Sequence, residues 1–328
     1  MLRSSAFFFT IWRAFFCELV MTLAHQPARL SLVEGLLRTW LRIGLRGGER
    51  TTRVLATRIL SLQTVPIQIA DHPPVYMDLR DWGSHFWLKG SPWSVSPREE
   101  EEQWVFQQFV LPGQCVYDIG ANVGMHTALL SSLVGPAGHV YAFEPNPRLE
   151  PGLLRTIGGM TNATLFRFAL SDQAGEAELF VAEEDHSLTS LANWTGRANT
   201  AREVCEMITL DSLAEARGLR RPDFIKCDVE GAELNVFRGA MKILNTIDAP
   251  LILFEADANT AKGFGRPISA TKDFLADLSE PDYHFFTAEN HRLKEVEELD
   301  PVHSNVIAIP RASIAPIKDR LGPRVFPS

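Results

Sequence analysis

Residues 115–124 read Cys115-Val116-Tyr117-Asp118-Ile119-Gly120-Ala121-Asn122-Val123-Gly124, and the reading of this stretch decides the fold. An apolar run enters a glycine-rich turn, and His126–Leu133 then continues at helical spacing. Gly120 and Gly124 permit a tight turn and a close approach of backbone to a ligand. A strand that runs through such a turn into a helix predicts a Rossmann-like α/β unit.

Working outward, the same alternation repeats. Strand-like runs fall at Cys115–Ile119, His139–Phe143, Ala163–Leu170, Asp223–Cys227 and Pro250–Phe254. Helical candidates lie at Gly124–Leu133, Pro147–Gly158, Ser212–Gly218 and Ala232–Leu244. Apolar strands without polar alternation, separated by helices, indicate a mostly parallel central sheet covered by helices on both faces. Ala177–Val181 and Glu203–Leu210 read as extra strands in one long connection, and Tyr283–Thr287 with Asn305–Ile309 as closing strands.

Two details separate nucleotide from other ligands. A dinucleotide site wants G-x-G-x-x-G, but here the spacing is G-x-x-x-G with Asn122 at the middle position. The strand also ends in Asp118, which would oppose a pyrophosphate. S-adenosylmethionine carries an ammonium and a sulfonium and no phosphate, so an acid here attracts it and can accept from its amino group. Glu144, at the end of the second strand, stands where an acid commonly accepts from both ribose hydroxyls. The charge pattern favours S-adenosylmethionine over NAD.

These blocks resemble the FkbM family of methyltransferases. The resemblance rests on Val116–Gly124, on Val140-Tyr141-Ala142-Phe143-Glu144-Pro145 and on Thr209-Leu210-Asp211-Ser212-Leu213. Its most discriminating part is Asp223-Phe224-Ile225-Lys226-Cys227-Asp228-Val229-Glu230-Gly231-Ala232-Glu233, followed by Arg238-Gly239-Ala240 and Pro250–Glu255. It spans roughly residues 97–310 and implies a Rossmann-like methyltransferase fold. It implies O-methylation from S-adenosylmethionine onto a sugar, glycolipid or secondary metabolite. A Tyr often follows the second glycine in the family, where this chain has Met125-His126.

In an open parallel sheet the ligand lies beyond the carboxyl ends of the strands. Asp118, Gly120, Ala121, Asn122, Gly124, Glu144, Leu170 and Asp172 are therefore the expected cofactor contacts. Leu170 would frame the adenine. Asp172 would meet its edge, or serve equally as a turn residue before Gln173-Ala174-Gly175. Methyl transfer to an alcohol is an in-line displacement that benefits from a base. Asp228 or Glu230 is the candidate, with His126 behind them. This acid pair could instead hold a divalent cation, but one pair is slim ground and no metal is assigned. Glu233 reads as a structural acid in a first helical turn. Lys226 would pair with an acid. His186, among Glu183-Glu184-Asp185, reads as part of a solvated loop.

The remainder divides into an N-terminal helical extension (1–65), a lead-in (66–112), the methyltransferase domain (113–310) and a poorly ordered tail (311–328). Residues 29–63 carry Leu30, Val33, Leu36, Leu37, Trp40, Leu41, Val54, Leu55, Ile59 and Leu60 at helical spacing, with arginines interleaved and a break at Gly47-Gly48. Such a face packs on its own domain or lies on an anionic membrane. Peripheral membrane contact through residues 2–60 is one expectation. Ala6–Ala24 is apolar but is interrupted by Arg13 and Glu18, so it is a poor membrane span. With a net charge of −8, nucleic-acid binding is not expected. Cys17, Cys115, Cys205 and Cys227 form no C-x-x-C pair, which suits free thiols in a cytoplasmic enzyme. The expected partner is a small-molecule or glycan acceptor. Alternatives are an NAD-dependent oxidoreductase on a similar sheet, or a catalytically silent protein of the same fold.

Overall fold

In chain order the strands are β1 (Val65–Ile67), β2 (Val75–Met77), β3 (Cys115–Ile119), β4 (His139–Phe143) and β5 (Ala163–Phe166). There follow β6 (Ala169–Leu170), β7 (Gly175–Ala182), β8 (Thr200–Ile208), β9 (Phe224–Cys227) and β10 (Leu251–Asp257). The last are β11 (Tyr283–Glu289), β12 (Arg292–Glu295) and β13 (His303–Pro310). The computed structural model describes residues 16–17, 19–20, 30–43, 47–59, 63–68, 72–89, 97–182, 185–196 and 200–326.

The central sheet has eight strands in the order β12-β11-β13-β10-β9-β3-β4-β5. β5, β4, β3, β9 and β10 are mutually parallel, while β13 pairs antiparallel with both β10 and β11. β3 is wholly buried, and its alternate residues serve opposite faces. Cys115, Tyr117 and Ile119 join one core with Phe237, Leu244 and Phe254. Val116 joins the other with Phe106, Leu129 and Ile307. An open sheet buried on both faces explains why these strands read as unbroken apolar runs.

The fold departs from the sequence reading at several places. The run Ala163–Leu170 is two strands, because the chain leaves the sheet edge at exposed Arg167, which pairs with Glu150. β6 then joins β8 and β7 in a separate three-stranded sheet. Ala232–Leu244 is two short helices, Glu233–Arg238 and Met241–Leu244, broken at Gly239-Ala240. The expected disordered tail is instead a helix, Arg311–Leu321, with Ile317 buried. Phe326 beyond it packs edge-on to Phe286 at 5.0 Å.

The amphipathic N-terminal stretch forms helices Leu30–Arg42 and Gly48–Arg58. Most of its apolar face turns into the protein, while Leu32 and Val54 stay exposed. Val33, Leu37, Trp40, Leu41, Leu55 and Ile59 are buried with Ile67, Val75, Met77 and Leu88, and Phe16 stacks on Trp40. The Tyr76 amide donates to Thr156 Oγ1 at 2.9 Å, tying β2 to the helix Glu150–Gly158. Among the described residues no helix is long and apolar enough to cross a membrane. Most of Ala6–Ala24 lies outside the described residues.

Candidate functional site

The chain runs outward from β3 to β4 and β5, then returns to place β9 on the other side of β3. This is the switch point at which such sheets bind ligands. A cavity of about 470 Å³ opens there, lined by the turn after β3, the ends of β4, β9 and β10, and segments from outside the sheet.

The turn is built from committed backbone groups. Gly120 and Ala121 donate their amides to Phe143 O, each at 3.0 Å, and Gly124 donates to Ala121 O. The Asn122 amide donates to Glu144 Oε2 at 2.8 Å. Asn122 holds φ +51°, a conformation asparagine tolerates better than most residues. At Gly120 a Cβ would stand 1.8 Å from Asp228 O, so only glycine lets the two strand-end loops meet. At Gly124 the missing Cβ faces Leu153 and Thr156 instead. That glycine serves helix packing rather than the approach of a ligand.

Glu144 is buried, and its second oxygen accepts from the Asn146 amide at 2.9 Å. Burial pushes its pKa up to about 7, against the pull of those two amides. A carboxylate has about four acceptor sites, so two amides do not saturate it.

Asp118 and Lys226 are register partners on adjacent strands. Asp118 is fully buried, and its Oδ2 accepts from Thr127 Oγ1 at 2.5 Å. Its Oδ1 has no hydrogen bond and lies 3.7 Å from Lys226 Nζ. Lys226 donates to Gly120 O at 2.9 Å and sits 3.6 Å from Asp228 Oδ2. Burial lowers the Lys226 pKa, but Asp228, Asp118 and Glu102 together more than offset this and leave it raised. Asp118 therefore stands behind the cavity wall, fixing the turn and Lys226.

Asp228 and Glu230 line the cavity beyond β9, and Glu255 joins them from β10. One carboxylate oxygen from each lies within 4.8 Å of the others. Burial, then the neighbouring Asp228, pushes Glu230 and Glu255 well above the usual carboxylate range. Glu233 accepts from the amides of Val229 at 3.0 Å and Gly231 at 3.2 Å, so it clamps the loop that presents the pair. That fulfils its expected structural role by a more specific route than the helix dipole.

Three further segments complete the walls. Helix Pro97–Phe109 brings Glu102 to the cavity, 3.7 Å from His126 Nε2. Asp81 and Ser84, at the start of helix Trp82–Lys89, form a lip with His186 and Ser187. His186 is half-buried there, and its amide donates to Asp81 Oδ1 at 3.2 Å. The loop is docked, not solvated.

Of the expected cofactor contacts, Gly120, Ala121, Asn122, Glu144 and Leu170 line the cavity, as do Asp228, Glu230 and His126. Asp118, Gly124 and Asp172 do not. Asp172 is an exposed turn residue. Glu102, Glu255, Asp81 and Ser84 were not singled out from sequence. Only Glu255 carried a usable signal, an acid ending a strand like Asp118 and Glu144.

The chain is 27% identical over 143 residues to the protein named hexuronic acid methyltransferase AglP of Haloferax volcanii, covering 43% of this chain and 56% of that protein. It is 24% identical over 191 residues to methyltransferase 1 of Beauveria bassiana, covering 51% of this chain and 75% of that one. It is 27% identical over 146 residues to 2-O-methyltransferase NoeI of Sinorhizobium fredii, covering 40% and 60%. The matched part thus spans little more than half of the first relative's length. Residues 118–286, which carry the turn, Glu144, the Asp228 loop and Glu255, match the family described as the methyltransferase FkbM domain, and the chain belongs to that family.

Proposed function

We propose that this chain transfers the methyl group of S-adenosylmethionine to a hydroxyl of a small polyhydroxylated acceptor, as an O-methyltransferase of sugars, glycolipids or related metabolites. The observation that carries this reading is the fate of the turn amides. A pyrophosphate at this place needs free backbone N–H groups. Here Gly120, Ala121 and Asn122 donate inward to Phe143 O and Glu144, and the cavity is lined by carboxylates. That suits a cation-bearing cofactor and opposes NAD.

The residues present fit S-adenosylmethionine. Glu144 keeps acceptor capacity for ribose hydroxyls, and Leu170, Phe143 and Phe168 give an apolar wall for adenine. Asp118 acts through the turn and Lys226. When bound, the cofactor supplies an electrophilic methyl group on its sulfonium. Asp228, the exposed member of the ion-paired cluster, faces the cavity and takes the acceptor's proton. Glu230 and Glu255 line the same cavity, each with one carboxylate oxygen within 4.8 Å of one of Asp228's, so the acceptor hydroxyl is held among these acids. The 2-O position in one relative's name supports a hydroxyl oxygen as acceptor.

The test is transfer of labelled methyl from S-adenosylmethionine to a panel of glycosides and to a cell extract. Label in an ether-linked methyl is the expected product. Tight NADH binding without S-adenosylhomocysteine binding would overturn the reading.

A further inference from the structure

The lip of the cavity contains polar groups that the methyl-transfer reading leaves unused. Ser84 is 2% exposed and its Oγ has no hydrogen-bond partner. His186 Nδ1 is likewise buried and unpartnered. Both residues line the cavity. A buried hydroxyl or ring nitrogen without a partner costs about 1–3 kcal/mol, so such atoms call for a ligand that supplies the missing bonds. Asp81, which accepts from the His186 amide and also lines the cavity, is only 6% exposed. Burial and then the charge of Asp185 raise its pKa to about 7, although the His186 and Gly83 amides pull the other way. Burial lowers the His186 pKa, so its ring is held neutral and can either donate or accept.

The lip is anchored beside the reacting carboxylates. Ser190, in the same loop as His186, donates its hydroxyl to Glu230 O at 2.8 Å. Asp81, Ser84 and His186 line the same cavity as Asp228, Glu230 and Glu255.

Charge decides what can sit there. Asp81, Glu102, Asp228, Glu230 and Glu255 all line the cavity, and among its described lining residues Lys226 is the only lysine or arginine. Burial first, and neighbouring acids after it, already push Asp81, Glu102, Glu230 and Glu255 toward their neutral forms, so the cavity resists a further negative charge and an anionic acceptor is disfavoured.

We propose that Asp81, Ser84 and His186 form an acceptor subsite that grips the ring hydroxyls of an uncharged sugar and disfavours carboxylated ones. This rests on the methyl-transfer reading and adds to it the acceptor's charge class and the residues that select it. A carboxylate, a hydroxyl and a neutral imidazole match the alternating donors and acceptors of vicinal ring hydroxyls.

The test uses the full-length chain saturated with S-adenosylhomocysteine. The probes are methyl glycosides of glucose, mannose, fucose and rhamnose, with methyl glucuronide for comparison. Binding is read by saturation-transfer NMR, and cofactor-product affinity separately by calorimetry. At least one neutral glycoside should bind the wild-type protein, with methyl glucuronide weaker. Asp81→Asn and Ser84→Ala should each weaken the neutral glycoside about tenfold, a loss of one or two hydrogen bonds. S-adenosylhomocysteine affinity should stay unchanged in both variants, and thermal unfolding should stay unchanged in Ser84→Ala. Equal glycoside binding by wild type and both variants would overturn the subsite, as would a preference for the glucuronide or no glycoside binding at all. Failure of S-adenosylhomocysteine to bind the wild-type protein would remove the underlying reading itself.

Discussion

Lys226 and Asp118 face each other across adjacent parallel strands, with the ammonium 3.7 Å from Asp118 Oδ1 and both side chains almost fully buried. The pair carries the turn on one side, through Gly120 O, and the cavity on the other, through Asp228. Removing one partner of such a pair leaves an uncompensated buried charge and costs about 3–5 kcal/mol. Lys226→Met should therefore lose about 3 kcal/mol of stability in urea unfolding. A loss below about 1 kcal/mol would show that the pair is not buried as described.

Asp228 is the group assigned to proton removal. Asp228→Asn keeps shape and removes basicity, so methyl transfer should fall by about 10²–10⁴-fold. S-adenosylhomocysteine affinity, measured by calorimetry, should change less than threefold by the same assignment. Parallel losses in both would move Asp228 from the reaction to cofactor binding.

Asp81, Glu144 and Glu233 all have their pKa values raised to about 7, from ordinary values of 3.8 and 4.5, and in each the first cause is burial. The folded protein thus holds more protons than the unfolded chain between these limits. Their stabilisation is complete below the unfolded values and is lost as pH rises through about 7. Glu102, Glu230 and Glu255 are shifted the same way, while His139 and His186 are lowered and oppose the effect. Carboxyls predominate, so unfolding free energy of the ligand-free protein should fall from about pH 5 to pH 8. Asp81→Asn should flatten that slope. A slope of opposite sign, measured by urea unfolding across the range, would contradict the burial of these acids.

Trp40 lies in the apolar face of helix Leu30–Arg42 and is 6% exposed, stacked on Phe16 at 4.3 Å. Truncating such a side chain costs about 3–5 kcal/mol when it belongs to the core. Trp40→Ala should therefore lower overall stability by about 3 kcal/mol in a single cooperative transition. An unchanged transition, together with loss of sedimentation with anionic vesicles, would return this helix to a membrane role.

Legibility from sequence followed burial. β3, β4, β9 and β10 were readable because a sheet buried on both faces needs unbroken apolar runs. Asp118, Glu144 and Asp228 were readable because each ends such a run. The three-stranded side sheet was only half visible, since Ala163–Leu170 hides its break at Arg167. The C-terminal helix was missed because one buried isoleucine and Phe326 carry its packing. The lip was missed for a different reason. Asp81 and Ser84 are distant in sequence from His186, and only the fold makes them neighbours. Glu102 sat in an acidic first turn that the helix dipole already explained. Lys226 was rightly expected to pair with an acid, but its register with Asp118 needed the strand order.

The central claim is that the β3 turn, with its amides turned inward onto Phe143 and Glu144, holds a sulfonium cofactor rather than a dinucleotide. Calorimetric titration of the full chain with S-adenosylhomocysteine and with NADH tests it most directly. S-adenosylhomocysteine should bind with a Kd of roughly 1–100 μM, the affinity should drop at least about tenfold in Glu144→Ala, and NADH should give no heat. NADH binding without S-adenosylhomocysteine binding would contradict it.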